Sequence, residues 1–285
     1  MHRYVVFDNN AYQAISSVRL DRIIETECAH GVHAMANLTV LQEMLAKARQ
    51  PNARDRGRDR SGIRKLGRHC RVEHGDRVEV RFITHVEGQI YQALTGKEHP
   101  RDGEMFDAFA DMVRVVSNAE TDAPLDEISD DLTKIEELVA RQEAAYVESL
   151  ASMIDARSDP NQIRRNLDFA AEIAARTQKM YGRAFSRMEI VQRIIDIARI
   201  SSLAFALRDA VVAEVRAKRG GYAQHANTLW DEQVVCSTST YSTLGGQSVL
   251  LVTEEVRLHE AAQTAAAADL VCSLADYERM LGLVE

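Results

Sequence analysis

The N-terminal segment of this chain is a short apolar run that ends on an acid. Residues 4–7 are β-branched or aromatic, which predicts a buried strand, and Asp8, Asn9 and Asn10 follow it directly. In open α/β sheets, ligands bind at the carboxyl ends of the strands, where this acid would lie. A carboxylate is costly to bury, so an acid at the end of a buried strand indicates a task such as holding a divalent metal.

Three further segments place acids at a predicted strand end or early in a predicted helix. A short β-prone stretch at 38–41 runs into an apolar helix whose first turns carry Glu43, and another helix opens near Asp231. A buried-strand pattern at 248–252 then ends on a threonine and two acids. Carboxylate oxygens are the ligands that Mg²⁺ and Mn²⁺ prefer, so these acids are predicted to form a divalent-cation site together with the acid of the first strand.

Taken in chain order, these residues resemble the motifs of the PIN-domain nucleases. The positions that match the family are Asp8, Asn10, Glu43, Asp231, Thr253 and Glu255. The family usually has Asp where this chain has Glu255, so that side chain is one methylene longer here. The C-terminal order of helix, short strand and aromatic-containing helix also resembles the family. The resemblance covers residues 1–98 and 225–285.

The resemblance implies an α/β fold in which a mostly parallel sheet is flanked by helices. Residues 1–98 and 225–285 are expected to form this PIN-like nuclease core. Residues 99–224 are helical in pattern, with helix starts predicted at Asp122 and at Asp159 and a helix end at Gly220. We therefore expect a long all-α insertion, a bundle or hairpin, that interrupts the core.

The resemblance also implies a function, a metal-dependent endonuclease that hydrolyses phosphodiester bonds, with RNA favoured over DNA. The residues expected to bind Mg²⁺ or Mn²⁺ and to act in catalysis are Asp8, Glu43, Asp231 and Glu255. Asn10, Thr253 and Glu254 are expected to support them, and Glu254 is the alternative to Glu255 as a ligand. Adjacent residues of a strand point to opposite sides, so only one of these two glutamates would face the metal.

A basic segment lies within residues 1–98, the first part of the predicted core. From Lys47 to Arg77 the chain has eleven Lys and Arg against four Asp and Glu, a local charge of +7 that leaves −15 elsewhere. We interpret the segment as a polar loop that contacts phosphates of a nucleic acid. The residues expected to make these contacts are Arg54, Arg56, Arg58, Arg60, Arg64, Lys65 and Arg68. The alternative is a solvated surface segment without a ligand.

Three other functions compete with the ribonuclease hypothesis. The first is a catalytically inactive PIN-like scaffold that acts through its helical insertion, which Glu255 and the net charge of −8 favour and the remaining acids argue against. The second is a structure-specific DNA nuclease. The third, the weakest, follows from the Arg-x4-His pattern of Arg64 and His69, known from metal-independent ribonucleases of a helical family.

The biological setting is predicted from composition and from the resemblance. Four scattered cysteines without a CxxC pair indicate free thiols, and the N-terminus lacks a signal-peptide pattern, so we expect a cytoplasmic protein. No apolar run approaches the roughly 20 residues that a membrane span needs. Many bacterial members of the family are toxins, which implies a toxin or defence effector here. The insertion would then bind an inhibitory protein or a second copy of the chain.

Overall fold

The computed structural model describes most of the chain. The described residues are 2–49, 53–74, 77–119, 123–155, 185–192, 194–218, 225, 227–238 and 246–284, with 168, 171 and 175. The helix starts predicted at Asp122 and Asp159 and the helix end predicted at Gly220 lie outside them.

The sheet at the centre of the molecule has four parallel strands. Its order is β2, β1, β7, β8, where β1 is Tyr4–Phe7, β2 is His33–Ala34, β7 is Val249–Val252 and β8 is Val271–Cys272. Residues 5–7 and 249–252 are at most 2% exposed, because helices cover both faces of the two central strands. The predicted α/β class with a parallel sheet is confirmed.

Two smaller strand pairs lie beside this sheet. Strands β3, Ala36–Asn37, and β6, Phe82–Ile83, pair in parallel, while β4, Arg71–His74, and β5, Arg77–Val80, pair antiparallel. The alternation of charged and apolar residues at 77–83 predicts one strand. The structure divides them at Arg81, whose backbone bonds to Cys70 and Ala36 on two different sides.

Helices make up most of the remaining structure. They are α1 Asn9–Ala14, α2 Ser17–His30, α3 Leu38–Lys47, α4 Ala53–His69, α5 Val86–Thr95, α6 Asp102–Asn118, α7 Ser129–Asp155, α8 Arg187–Gln192, α9 Ile194–Lys218, α10 Thr228–Val235, α11 Val256–Thr264 and α12 Leu274–Met280. Short 3₁₀ helices occupy Ala123–Ile128, Cys236–Thr238 and Ala268–Leu270. None of the helices in the described ranges is long and apolar enough to cross a membrane.

The basic segment forms helix α4, so the predicted loop is wrong. Its few apolar and small residues recur at helical spacing, and Ile63, Leu66 and Cys70 are at most 1% exposed. At Gly62 the helix comes so close to α3 that an added Cβ would lie 2.8 Å from the sulfur of Met44. The arginines between these positions make the segment polar in composition, so a count of charges does not reveal its buried apolar stripe.

The β-prone stretch at 38–41 is also helical, as the first turn of α3. The strand lies just before it, and the Asn37 side chain accepts hydrogen bonds from the backbone N–H groups of Thr39 (2.8 Å) and Val40 (3.3 Å). An Asn at this position caps a helix and overrides the weak strand preference of the residues that follow. Glu43 therefore projects from the middle of a helix.

The helices of residues 99–224 share one hydrophobic core with the sheet. Val116, Leu132 and Leu207 belong to the same buried cluster as the residues of β1 and β7. Helix α6 packs on α4, α7 packs on α3, and α9 packs on α10 and α11. Packing is thus continuous across residue 99 within the described ranges, and the division into a core and an insertion stays a prediction.

Candidate functional site

The carboxyl ends of β1 and β7 open into a polar cleft of about 540 Å³. All four acids predicted as ligands line it, namely Asp8, Glu43, Asp231 and Glu255. They come from β1, α3, α10 and the turn between β7 and α11, so four separate segments of the chain contribute. The parallel pairing of β1 with β7 places two of these acids at adjacent strand ends, as the sequence predicted.

Asp8 is fixed at the end of β1 by hydrogen bonds to both carboxylate oxygens. The backbone N–H of Asn9 donates to Oδ1 (2.6 Å), and the hydroxyl of Thr253 donates to Oδ2 (2.9 Å). The Asp8 side chain also caps helix α1, and its residue is 6% exposed. A carboxylate with both oxygens engaged in this way has one orientation, which a metal ligand or a general base requires.

Of the residues predicted to support the metal ligands, Asn10 joins the two strand ends that carry the acids, whereas the side chain of Glu254 points away. The side-chain Oδ1 of Asn10 accepts a hydrogen bond from the backbone N–H of Glu254 (3.0 Å), which holds the turn after β7 against the turn after β1. The side chain of Glu254 points elsewhere, since its Oε1 accepts the backbone N–H of Leu274 (2.7 Å). Glu255 lines the cleft, whereas Glu254 bonds to the first residue of helix α12.

Glu43 is paired with a lysine from its own helix. Lys47 Nζ lies 2.5 Å from Glu43 Oε1, and both residues line the cleft. Burial alone would lower the pKa of Lys47, but Glu43, Asp59 and Glu143 outweigh it, so the pKa of Lys47 is raised. The lysine therefore stays charged and offsets part of the negative charge of the cleft.

Asp231 is held in place through its two neighbours in the chain. On one side, Trp230 donates its indole N–H to Glu143 of α7 (2.8 Å). On the other side, the buried Glu232 carboxylate accepts a hydrogen bond from Arg208 Nε of α9 (2.9 Å). The two long helices thereby fix the short helix that carries Asp231.

The acids of the cleft raise one another's pKa. Burial, Asp8, Glu255 and Glu43, in that order, raise the pKa of Asp231 to about 8, against a smaller opposing effect of Arg257. Burial and Glu43 raise the pKa of Asp8 to about 6, although its hydrogen bonds from Thr253 and Asn9 act in the other direction. Perturbed carboxylates gathered in one cleft are typical of functional sites.

These pKa shifts predict how stability depends on pH in the absence of metal. Both carboxyls bind protons more tightly in the folded chain than in the unfolded chain, where an Asp titrates near a pKa of about 3.9. Their contribution to stability is therefore complete below about pH 4 and is lost as the pH rises through about 6 for Asp8 and 8 for Asp231.

We expect Asp231→Asn to flatten this loss, because the amide cannot ionise. The measurement is Tm in EDTA from pH 5 to pH 9, where the advantage of the variant over the wild type should grow by several degrees. Asp131→Asn, which removes an exposed acid paired with Lys134, is the matched control and should follow the wild type. Parallel curves for the wild type and Asp231→Asn would contradict the electrostatic coupling.

The acids line one cleft without closing into a preformed coordination sphere. In the described part of the chain, no three His, Cys, Asp or Glu side chains converge closely enough to coordinate one metal ion. The donor set consists of carboxylate oxygens, which suits Mg²⁺ and Mn²⁺, and Mg²⁺ keeps several waters and needs only one or two direct carboxylates. The residues present thus fit a hydrated divalent cation better than a metal caged by protein ligands alone.

The basic side chains of helix α4 line two different cavities. Arg58 lines the acid cleft, whereas Arg64, Lys65 and Arg68 line a separate groove between α4 and α6. Several of these cations also bond to backbone carbonyls, as Lys65 Nζ does to Tyr12 (2.8 Å). Of the other predicted contacts, Arg60 bonds to Ala48, Arg56 is half-buried, and the side chain of Arg54 lies outside the described residues.

The two residues of the Arg-x4-His pattern in α4 lie in different places, one buried and one at the surface. His69 is buried, where its Nε2 lies 2.9 Å from Glu27 and its Nδ1 lies 3.1 Å from the Tyr12 hydroxyl. Arg64 is exposed and donates to the carbonyl of Ala119. The two side chains serve separate structural contacts.

Three charged residues of the cleft were not predicted from the sequence. Asp59 is 4% exposed and accepts a hydrogen bond from Gln13 (3.2 Å), and burial raises its pKa. Lys47 and Arg257 add positive charge to the same walls. The signal for Asp59 was its position four residues before Ile63 on one helical face, which the loop interpretation of α4 concealed.

Comparison with models of protein families, with curated proteins and with solved structures finds no match to this chain.

Proposed function

We propose that this chain is a metal-dependent nuclease with RNA as its preferred substrate. The observation that carries the proposal is the cleft at the carboxyl ends of β1 and β7, where Asp8, Glu43, Asp231 and Glu255 meet from four separate segments. A chain gains no stability from gathering like charges in one partly buried place, so the arrangement points to a positively charged ligand.

The order of strands and motifs supports the PIN-like part of the proposal. The first strand ends at Asp8, the helical Glu43 follows, and the strand ending at Thr253 pairs with the first strand in parallel. The Thr253 hydroxyl and the Asn10 side chain each bond across to the other of these two strand ends, so both motif residues serve the position of Asp8. The choice of RNA over DNA rests on the resemblance of motifs alone.

A divalent cation would be held by the carboxylates of Asp8 and Asp231, with Glu43 and Glu255 bonded to it or to its waters. When bound, it supplies positive charge beside the scissile phosphate and a water of lowered pKa. The pKa of Asp231 is raised to about 8, so this carboxyl holds its proton at neutral pH when no cation balances the cluster, and the pKa of Asp8 is raised to about 6. An ionised cluster and a bound cation therefore stabilise each other.

The remaining residues of the cleft serve the substrate. Lys47, Arg58 and Arg257 line its walls, and their charges suit the phosphates on either side of the scissile bond. A carboxylate that the cation leaves free is positioned to take the proton of an attacking water, and the raised pKa of the cluster suits proton transfer near neutral pH. Thr253 keeps the Asp8 carboxylate in one orientation during this step.

The experiment that tests this function compares matched RNA and DNA. A labelled single-stranded oligonucleotide, its DNA counterpart and a transfer-RNA pool are each incubated with the purified protein in Mg²⁺, Mn²⁺ or EDTA. We expect cleavage of the RNA substrates in Mg²⁺ or Mn²⁺ and none in EDTA. Cleavage that continues in EDTA would overturn the metal-dependent mechanism.

The other two functions predict different outcomes of the same experiment. Faster cleavage of DNA than of RNA would identify the DNA nuclease. The scaffold predicts no cleavage of either substrate and no rise in Tm on addition of Mn²⁺. In that case the helices of residues 99–224 would be the part of the chain to use as bait for a partner.

A further inference from the structure

A second cavity lies at the opposite end of the sheet from the acids. It has a volume of about 450 Å³, in the range of sites for small ligands, and Arg3 and Tyr4 at the start of β1 form part of its wall. Residues from β2, β6, α5 and α6 complete it. Asp8 at the other end of β1 does not line this cavity, so the two sites are distinct.

One wall of this cavity carries a buried carboxylate that is only half bonded. Asp102 is 3% exposed, and its Oδ1 accepts a hydrogen bond from the Thr84 hydroxyl (2.7 Å). Its Oδ2 has no hydrogen-bond partner within the described residues, and the side-chain amide oxygen of Gln92, 8% exposed, has none either. All three residues line the cavity. Buried acceptors of this kind lose free energy unless a ligand or a water supplies donors.

The other end of the cavity is positively charged. Arg3 and Arg81 line it together with His33, and neither arginine side chain has a carboxylate partner in the part of the chain that the structure describes. Burial and the charges of Arg81 and Arg3 lower the pKa of the adjacent His33. Two unpaired guanidinium groups at one end of a pocket suit a phosphate group.

The walls between the two ends are apolar and aromatic. Phe82 and Phe106 stack with ring centroids 5.3 Å apart, and Met35 and Tyr4 extend the same surface. A flat ring system packs favourably against such a wall. The cavity thus offers hydrogen-bond acceptors at one end, an apolar surface in the middle and positive charge at the other end.

We propose that this cavity binds a guanine mononucleotide. The guanine edge has two adjacent N–H donors, at N1 and N2, which match the free Oδ2 of Asp102 and the acceptor of Gln92. The ring lies against the wall of Phe82 and Phe106, and the phosphate reaches Arg3 and Arg81. Adenine presents an acceptor at N1 and would leave the carboxylate without one of its donors.

The proposal is tested by titrating the full chain with GMP in a calorimeter, with EDTA present to keep metal out of the acid cleft. IMP, which lacks the N2 amino group, should bind about tenfold more weakly, and AMP about a hundredfold, since a bidentate base contact contributes about 1–3 kcal/mol. Guanosine and inorganic phosphate test the two ends of the ligand separately. Each should bind at least tenfold more weakly than GMP.

Two variants and one control connect this binding to the cavity. Asp102→Asn keeps the size of the side chain but replaces the free acceptor, and should weaken GMP binding at least tenfold. Arg81→Gln should weaken GMP binding while leaving guanosine binding unchanged. Glu98→Gln removes an exposed acid at the rim of the same cavity and should not weaken binding.

Several results would overturn the proposal. They are the absence of GMP binding to the wild type at 1 mM, equal affinity for GMP and AMP, and undiminished binding by a folded Asp102→Asn. The comparison of nucleotides uses the wild type, so it decides the matter even if the variant does not fold. Loss of GMP binding in Asp8→Asn would place the nucleotide in the acid cleft and reject the cavity.

Discussion

Asp8→Asn is expected to reduce metal-dependent RNA cleavage at least a thousandfold while raising the stability of the metal-free protein. The change keeps the size of the side chain and its cap on α1, and the new amide NH2 donates to the Thr253 hydroxyl from which the carboxylate accepted, but the negative charge that a cation and the substrate water require is removed. Losing a central group of a catalytic cluster commonly costs several powers of ten in rate.

The stability of the metal-free Asp8→Asn variant should increase while its cleavage rate falls. The pKa of Asp8 is raised to about 6, so near pH 7 its ionised form destabilises the folded chain beside Glu43, and an amide does not ionise. The measurements are the rate of cleavage of a labelled RNA in Mn²⁺ and the Tm in EDTA at pH 7.5. Asp131→Asn, an exposed acid on α7, is the control for both.

The two readouts separate catalytic loss from misfolding. A variant that is inactive and less stable would have lost its fold, whereas an inactive and more stable variant has lost a functional charge. Retention of a tenth or more of the cleavage rate by folded Asp8→Asn would remove the acid cleft from the mechanism.

Arg208→Met is expected to lower the free energy of unfolding by about 3 kcal/mol, because it leaves the buried Glu232 carboxylate without its counter-charge. Arg208 donates to both oxygens of Glu232, and the Tyr146 hydroxyl donates to Oε1 (2.5 Å). The side chain of Glu232 is 5% exposed, so water does not replace the lost partner. Methionine retains most of the apolar contact of the arginine stem.

Urea denaturation of the wild type and of this variant measures the effect. The double change Arg208→Met and Glu232→Leu removes both charges and should restore most of the loss, as is typical when a buried ion pair is replaced as a unit. Arg141→Met, at an exposed position of α7, serves as the control and should change stability by less than about 0.5 kcal/mol. A single variant as stable as this control would contradict the structural role of the pair.

The part of the site that the sequence predicted consists of acids at the ends of regular elements. Asp8 and Glu255 follow apolar strands whose parallel pairing is the common outcome for such runs, so their meeting at one sheet edge was predictable. Asp231 was identified by its place near a helix start, which the structure places at Thr228. Each of these residues could be identified from a few neighbouring positions in the sequence.

What the sequence did not predict depends on contacts between distant segments. Helix α4 was missed because its buried stripe is narrow and depends on packing against α3, with Gly62 beside Met44. Asp59 lies on this helix and was missed for the same reason. The partnership of Glu232 with Arg208 joins two helices whose mutual position no periodicity reveals. Tertiary packing of this kind overrides local preference and local charge.

The pairing of β1 with β7 also governs when the acids meet as the chain is made. Tyr4 is in register with Val249, so the central pair of strands joins residues at nearly opposite ends of the sequence. At the roughly 5–20 residues per second of protein synthesis, on the order of ten to fifty seconds pass between the emergence of the two strands. For most of that interval the growing chain has Asp8 and Glu43 but neither Asp231 nor Glu255, so the acid cleft that the proposed cleavage requires is incomplete until the second strand has been made.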